Sequence, residues 1–90
     1  MEEIKTGQAG SLESNDLIVT VNLNEREDLC IEIESIVKEK FGKQIEKVVR
    51  ETLKEFGVNN GYIKIVDKGA LDFTIRARLK TAIKRAERRQ

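Results

Sequence analysis

The chain has 90 residues, 37% of them charged and 39% hydrophobic, with a formal net charge of +1. That length builds one domain, residues 1–90, with a thin core and no room for a second. A single cysteine excludes an internal disulfide, and the lack of any histidine removes the usual zinc ligands and the usual acid–base side chain, so the composition predicts a protein that is not an enzyme by itself and holds no metal.

No apolar run approaches the roughly 20 residues that span a bilayer. Met1-Glu2-Glu3-Ile4 lacks the basic and apolar regions of a signal peptide. The expectation is a cytoplasmic protein without a membrane partner. The small net charge conceals an asymmetry: residues 76–90 hold seven cationic side chains against Glu87, while residues 1–75 hold ten basic and fifteen acidic ones. The basic end reads equally as a dock for acidic surfaces or phosphates and as a solvated helix face near a C-terminus.

In chain order, Gly10-Ser11-Leu12-Glu13-Ser14-Asn15-Asp16 is polar except for Leu12. Its neighbours would have to shed water to bury Ser14, so the segment belongs at an exposed edge. Ser14 is the best candidate for a covalent attachment point, and the same composition also suits an ordinary turn or capping serine. Leu17, Val19 and Val21 share one side of an extended segment, and Ile31 and Ile33 alternate with Glu32 and Glu34. These spacings predict two strands, and residues 24–28 have hairpin length, which predicts an antiparallel pair.

Val37, Phe41, Ile45, Val48, Val49, Thr52, Leu53 and Phe56 recur at spacings of three and four, predicting a long amphipathic helix. Ser35 suits its start and Gly57 its end; Gly42 is its weak point. After a strand at Tyr62–Val66 the pattern divides. Leu71, Ile75, Leu79, Ala82, Ile83 and Ala86 fit a helix, whereas Leu71, Phe73, Ile75, Ala77 and Leu79 alternate with polar residues up to Arg78. Asp67-Lys68-Gly69 suits a three-residue hairpin loop with Gly69 left-handed, and the resulting register places Ile63 opposite Phe73 and Lys64 opposite Asp72, so the hairpin is preferred. A helix from Leu79 to about Arg88 completes the order ββαββα: an α+β fold with a four-stranded antiparallel sheet and two helices on one face.

Few residues offer chemistry of their own. Gly7 and Gly10 lack the strand-to-helix context and lysine of a phosphate loop, Glu32 and Glu34 read as solvated carboxylates, and Cys30 has no histidine to activate it and reads as a packing residue. A basic helix beside a sheet could engage nucleic acid, but four aromatics, with Phe41 and Phe73 assigned to the core, leave no stacking ladder.

Gly10-Ser-Leu-Glu-Ser-Asn-Asp-Leu17 and Val66-Asp-Lys-Gly-Ala-Leu-Asp-Phe-Thr-Ile-Arg-Ala-Arg78 closely resemble the acyl carrier protein (gamma) subunit of citrate lyase. The resemblance runs nearly end to end. It implies that the serine at position 14 carries phosphoribosyl dephospho-coenzyme A, a covalent group derived from a triphosphoribosyl dephospho-coenzyme A donor, whose thiol holds an acetyl or citryl thioester. It implies as partners an alpha subunit that exchanges acetate for citrate, a beta subunit that splits the citryl thioester, a prosthetic-group transferase and an acetate ligase. No catalytic residue and no nucleic acid is implied. Carriers of citramalate lyase or malonate decarboxylase are the related alternatives. The Asp-Ser-Leu motif of fatty-acid carriers is absent, since Ser14 precedes Asn15-Asp16-Leu17.

Overall fold

A computed structural model of the chain describes residues 5–24 and 28–87. The fold is α+β, with strands β1 (Thr6–Gly10), β2 (Leu17–Asn22) and β3 (Leu29–Ser35), helix α1 (Lys38–Glu55), strand β4 (Gly61–Asp67) and helix α2 (Asp72–Glu87). The four-stranded sheet has the order β1-β2-β4-β3. β1 pairs with β2 and β2 with β4 antiparallel, while β3 and β4 are parallel. The sheet is therefore mixed rather than wholly antiparallel.

Three of the expected strands and the long helix are present. In α1 the inward positions Ile45, Val48, Val49, Thr52 and Leu53 are buried, and the helix runs through Gly42 without interruption. Ser35 does not cap it. The N-cap is Val37, without a side-chain cap, and the Ser35 hydroxyl instead accepts the Val37 N–H at 3.1 Å and donates to Asp67 Oδ2 at 2.8 Å. The C-terminus ends as expected at left-handed Gly57, φ 69°. The Gly57 N–H donates to the Lys54 carbonyl and the Val58 N–H to that of Leu53, the paired bonds of a Schellman ending.

Two expected pairings are corrected. β2 and β3 do not form a hairpin, because β4 lies between them, with Val19 opposite Ile65 on one side and Ile33 opposite Ile65 on the other. A parallel neighbour needs a long crossover, and α1 with its flanking turns supplies it. Of the expected hairpin connection, residues 25–27 lie outside the described residues.

The second correction is at residues 70–78, which are not a strand. Both edges of β4 are already taken, so no edge is left for a fifth segment. The Asp67 carboxylate accepts the N–H groups of Gly69 (3.1 Å) and Ala70 (2.9 Å), turning the chain into α2. Ile75, Leu79, Ala82, Ile83 and Ala86 are buried along it, the helical spacing that competed with the alternation. Phe73 and Leu71, inward in the hairpin reading, are 68% and 61% exposed.

The fourth strand is β1, Thr-Gly-Gln-Ala-Gly, which carries no β-branched apolar residue. Its place depends on Gly7. A Cβ there would run into the backbone of Ala82 and Ala86, so the glycine lets α2 lie directly on the strand. Both helices cover one face of the sheet: α2 crosses β1 and β2, and α1 packs on α2 and β3. Leu17, Val19, Val21, Ile63 and Ile65 are fully buried beneath them, each worth about 1.5–3 kcal/mol relative to exposure. The other face carries Thr20, Lys64, Glu32 and Tyr62, with the Tyr62 hydroxyl donating to Glu32 at 2.8 Å.

Candidate attachment site

Three connections meet at one end of the sheet: the β1–β2 turn, residues 11–16; the β3–α1 junction; and the β4–α2 loop, residues 68–71. The meeting follows from the pairing. β3 and β4 are parallel and end together at Ser35 and Asp67, while β2, antiparallel to β4, begins there at Leu17.

The turn itself is fixed from several directions. Asp16 is the hub, with the Ser11 hydroxyl donating to Oδ2 at 2.7 Å and the Leu17 N–H to Oδ1 at 2.8 Å. Arg78, 62 residues away on α2, closes a two-bond fork, Nε to Oδ1 at 3.0 Å and Nη2 to Oδ2 at 2.8 Å. These bonds favour the carboxylate over the acid, so the Asp16 pKa is lowered to about 2, with the Arg78 bonds the largest cause and the Ser11 bond next. On the backbone, the Asn15 N–H donates to the Lys68 carbonyl and the Lys68 N–H to the Asp16 carbonyl, both at 2.8 Å. They prolong the β2–β4 ladder into the turn. Asn15 is left-handed, φ 67°, a conformation that asparagine tolerates better than most residues.

Leu12, Glu13 and Ser14 project from this base into solvent. Ser14 is exposed, as expected, and its side chain makes no hydrogen bond among the described residues. Ser11, three residues earlier, is half-buried and committed to Asp16, and its oxygen also accepts the Glu13 N–H at 3.3 Å. The large apolar side chains that are exposed among the described residues, Leu12, Ile36, Phe41, Leu71 and Phe73, all belong to this end of the fold. Phe41 and Phe73, assigned to the core from sequence, flank an open hollow of about 540 Å³ between the starts of α1 and α2.

Most of the described cations of the basic C-terminal segment have partners. Arg76 pairs with Glu51 at 3.6 Å and Lys80 with Glu55 at 3.6 Å. Arg85 donates to the Gln8 carbonyl at 2.7 Å. Arg88 and Arg89 lie outside the described residues. Cys30 is half-buried on β3, and Glu32 faces Lys64 across the strands at 3.9 Å. Among the described residues no group of three or more metal-ligating side chains forms, and no helix is long and apolar enough to cross a membrane.

A family model described as malonate decarboxylase delta subunit (MdcD), an acyl carrier protein model, matches residues 4–86. The citrate lyase acyl carrier protein of Streptococcus mutans is 50% identical over 96% of this chain and 84% of its own length. That of Escherichia fergusonii is 45% identical over 96% and 89%. The chain belongs to the family of citrate lyase acyl carrier proteins. It is a non-catalytic carrier subunit. The relative from Halothermothrix orenii, 41% identical, covers 98% of the chain and 93% of its own length. A chain in the crystal structure of a Pseudomonas malonate decarboxylase hetero-tetramer in complex with malonate superposes with a TM-score of 0.75 at 20% identity, over 90% of this chain and 82% of that one. That is a likeness of fold.

The two segments that carry the sequence resemblance, 10–17 and 66–78, are the two that meet here. Their junction is made by the Asp16–Arg78 fork and the Asn15–Lys68 pair. Sequence reading isolated Ser14 but missed Asp16, Asp67 and Arg78 as its supports, because each acts through a contact distant in the chain.

Proposed function

We propose that Ser14 is the covalent attachment point of a phosphoribosyl dephospho-coenzyme A group and that the chain carries acyl groups for citrate lyase. The observation that carries this reading is the contrast between the two serines of one turn. The Ser11 hydroxyl is spent on Asp16 and Glu13, whereas that of Ser14 is exposed and unengaged. A bulky substituent on Ser14 fits, because it extends into solvent without displacing any bond that holds the turn.

When attached, such a group supplies a terminal thiol for an acyl cargo. The chain contributes an anchored tether that raises the effective concentration of the cargo at successive active sites. A rigid sheet under a projecting turn suits that task. The partners in this reading are the alpha acyltransferase and beta citryl lyase subunits, the prosthetic-group transferase and the acetate ligase, in the cytoplasm. Malonate decarboxylase is the second reading, favoured by the description of the matching family model and by the similar solved fold; identities of 41–50% to carriers named for citrate lyase favour the first.

Intact mass of the protein from its native host, followed by peptide mapping, tests the assignment. The added mass should lie on the peptide holding Ser14. Ser14→Ala should fold with stability within about 0.5 kcal/mol of wild type, as for an exposed side chain without partners, yet gain no mass and support no citrate cleavage in a reconstituted complex. Mass on Ser11, or cleavage with Ser14→Ala, would refute the assignment.

A further inference from the structure

We infer that Asp16 and Arg78 form a positioning device that holds the Ser14 turn in the one conformation the modifying enzyme accepts. The inference rests on the Ser14 reading and adds to it the residues that make the serine reactive in place. The reason is the pattern of the bonds. The Asp16 carboxylate receives donors from Ser11, from the Leu17 N–H and from both Nε and Nη2 of Arg78. One side chain thereby ties the first residue of the turn to the last, and the whole turn to α2. Among the described residues the tip, Leu12 to Ser14, is held only at Glu13, whose N–H donates to Ser11 Oγ at 3.3 Å and whose carbonyl accepts the Asp16 N–H at 3.2 Å.

The geometry of the clamp suits orientation of the turn as well as stability. Asp16 and Arg78 lie at the rim of the buried core, with the Arg78 side chain 42% exposed and the Asp16 side chain 15%. With one partner nearly half open to water the pair stabilises less than a buried one would, and its bidentate geometry serves orientation as well. Arginine supplies a planar fork that matches a carboxylate, which lysine does not. The Asp16 carboxyl, held near 2, stays ionised throughout the neutral range, so protonation does not open the clamp there. In the transfer, Ser14 Oγ forms a bond to the ribose-linked phosphorus of the triphosphoribosyl donor, pyrophosphate leaves with its bonding electron pair, and the hydroxyl proton passes to a base on the transferase. A nucleophile misplaced by an ångström loses on the order of a hundredfold in such a step.

The experiment uses the full-length unmodified carrier, purified prosthetic-group transferase and its triphosphoribosyl dephospho-coenzyme A donor, with the rate of modification read by intact mass. Arg78→Ala should lower kcat/KM for modification about tenfold to a hundredfold, while its Tm stays well above the assay temperature. Arg78→Lys, which keeps the charge and the stem but not the fork, should recover only part of the rate and serves as the folded variant if Arg78→Ala proves unstable. Adding Arg78→Ala to Asp16→Ala should cost nothing further, since both act through one bond pair.

Amide NMR gives a readout independent of modification. In Arg78→Ala the signals of residues 12–16 should shift or broaden while those of β4 and α1 remain. Modification of either arginine variant at the wild-type rate would overturn the clamp, as would a full additional loss from Arg78→Ala in the Asp16→Ala background, which would make Arg78 a direct contact of the transferase. If peptide mapping of the modified wild type places the mass away from Ser14, the Ser14 reading fails and the clamp with it. Mass on Ser14 with no arginine effect sinks the clamp alone.

Discussion

Asp67 gives the sharpest test of how the end of the fold that bears the Ser14 turn is held. It is 1% exposed. Its carboxylate accepts the Ser35 hydroxyl at 2.8 Å and the N–H groups of Gly69 and Ala70 at 3.1 and 2.9 Å, while its backbone carbonyl accepts the Ile36 N–H at 3.3 Å. Asp67→Ala removes the acceptor and leaves the donors. The Ser35 hydroxyl can rotate to another acceptor, but the two amides are fixed by the turn. At about 1–3 kcal/mol for each unsatisfied donor, with partial access for water, the loss is about 3 kcal/mol. For a domain of this size that lowers the Tm by about 12–24 °C.

Asp67→Asn separates charge from geometry. Its single carbonyl oxygen can serve Ala70, but the amide nitrogen then faces the Gly69 N–H, so the variant should lose about 1 kcal/mol. Urea unfolding followed by circular dichroism measures both losses, and an unchanged m-value keeps the comparison within two states. The Gly69 and Ala70 amides should exchange faster in Asp67→Ala. If that variant unfolds within about 0.5 kcal/mol of wild type, water has replaced the carboxylate and the loop beneath Ser14 is held by something other than Asp67.

Two further outcomes follow from the same coordinates. Gly42→Ala should stabilise the protein by about 0.5–1 kcal/mol by raising helix propensity, because the nearest obstacle to a new Cβ is the Lys38 Cγ at 3.1 Å, on a flexible exposed side chain; a lower Tm would mean that this end of α1 is more tightly packed than its exposure indicates. The Asp16 side-chain carbon should titrate near pH 2 and move up toward the ordinary carboxylate range in Arg78→Ala. Since the folded-state pKa is the depressed one, the stabilisation that Asp16 contributes is complete above about pH 4 and fades as pH falls toward 2. The Tm difference between wild type and Asp16→Asn should therefore shrink over that window, and a constant difference would contradict the assignment.

The parts of the fold legible in the sequence are those fixed by local periodicity. α1 announces itself because seven apolar residues and Thr52 recur at helical spacing, and β2, β3 and β4 because Val19, Ile33, Ile63 and Ile65 sit in alternating runs. β1 was illegible for the opposite reason. Its five residues include two glycines and no branched apolar side chain; it is a strand through its pairing with β2, and Gly7 lets α2 lie directly on it. Residues 71–79 satisfied both periods, since positions 71, 75 and 79 belong to each. The decision lay with β4, whose two edges were filled by β2 and β3, a fact about partners that no window of sequence contains. Ser14 was visible as a polar residue in a polar run; Arg78 was not visible as its support, because it lies 62 residues beyond Asp16.

That distance is also what makes the arrangement suit a carrier. A turn stabilised only by its own residues would bend with every tug on a long substituent. Here the turn is continuous with the sheet through Asn15 and Lys68 and is tied to α2 through Asp16 and Arg78, and α2 in turn lies on β1 and β2 over buried Ile75, Leu79 and Ile83. A force applied at Ser14 is therefore shared among hydrogen bonds whose other ends are in the core. In the proposed reading, the flexibility needed to visit several active sites resides in a group attached at Ser14, with the anchor point fixed. Effective concentration at each site depends on tether length and on the position of its root, and a fixed root makes that concentration a property of the docked geometry alone.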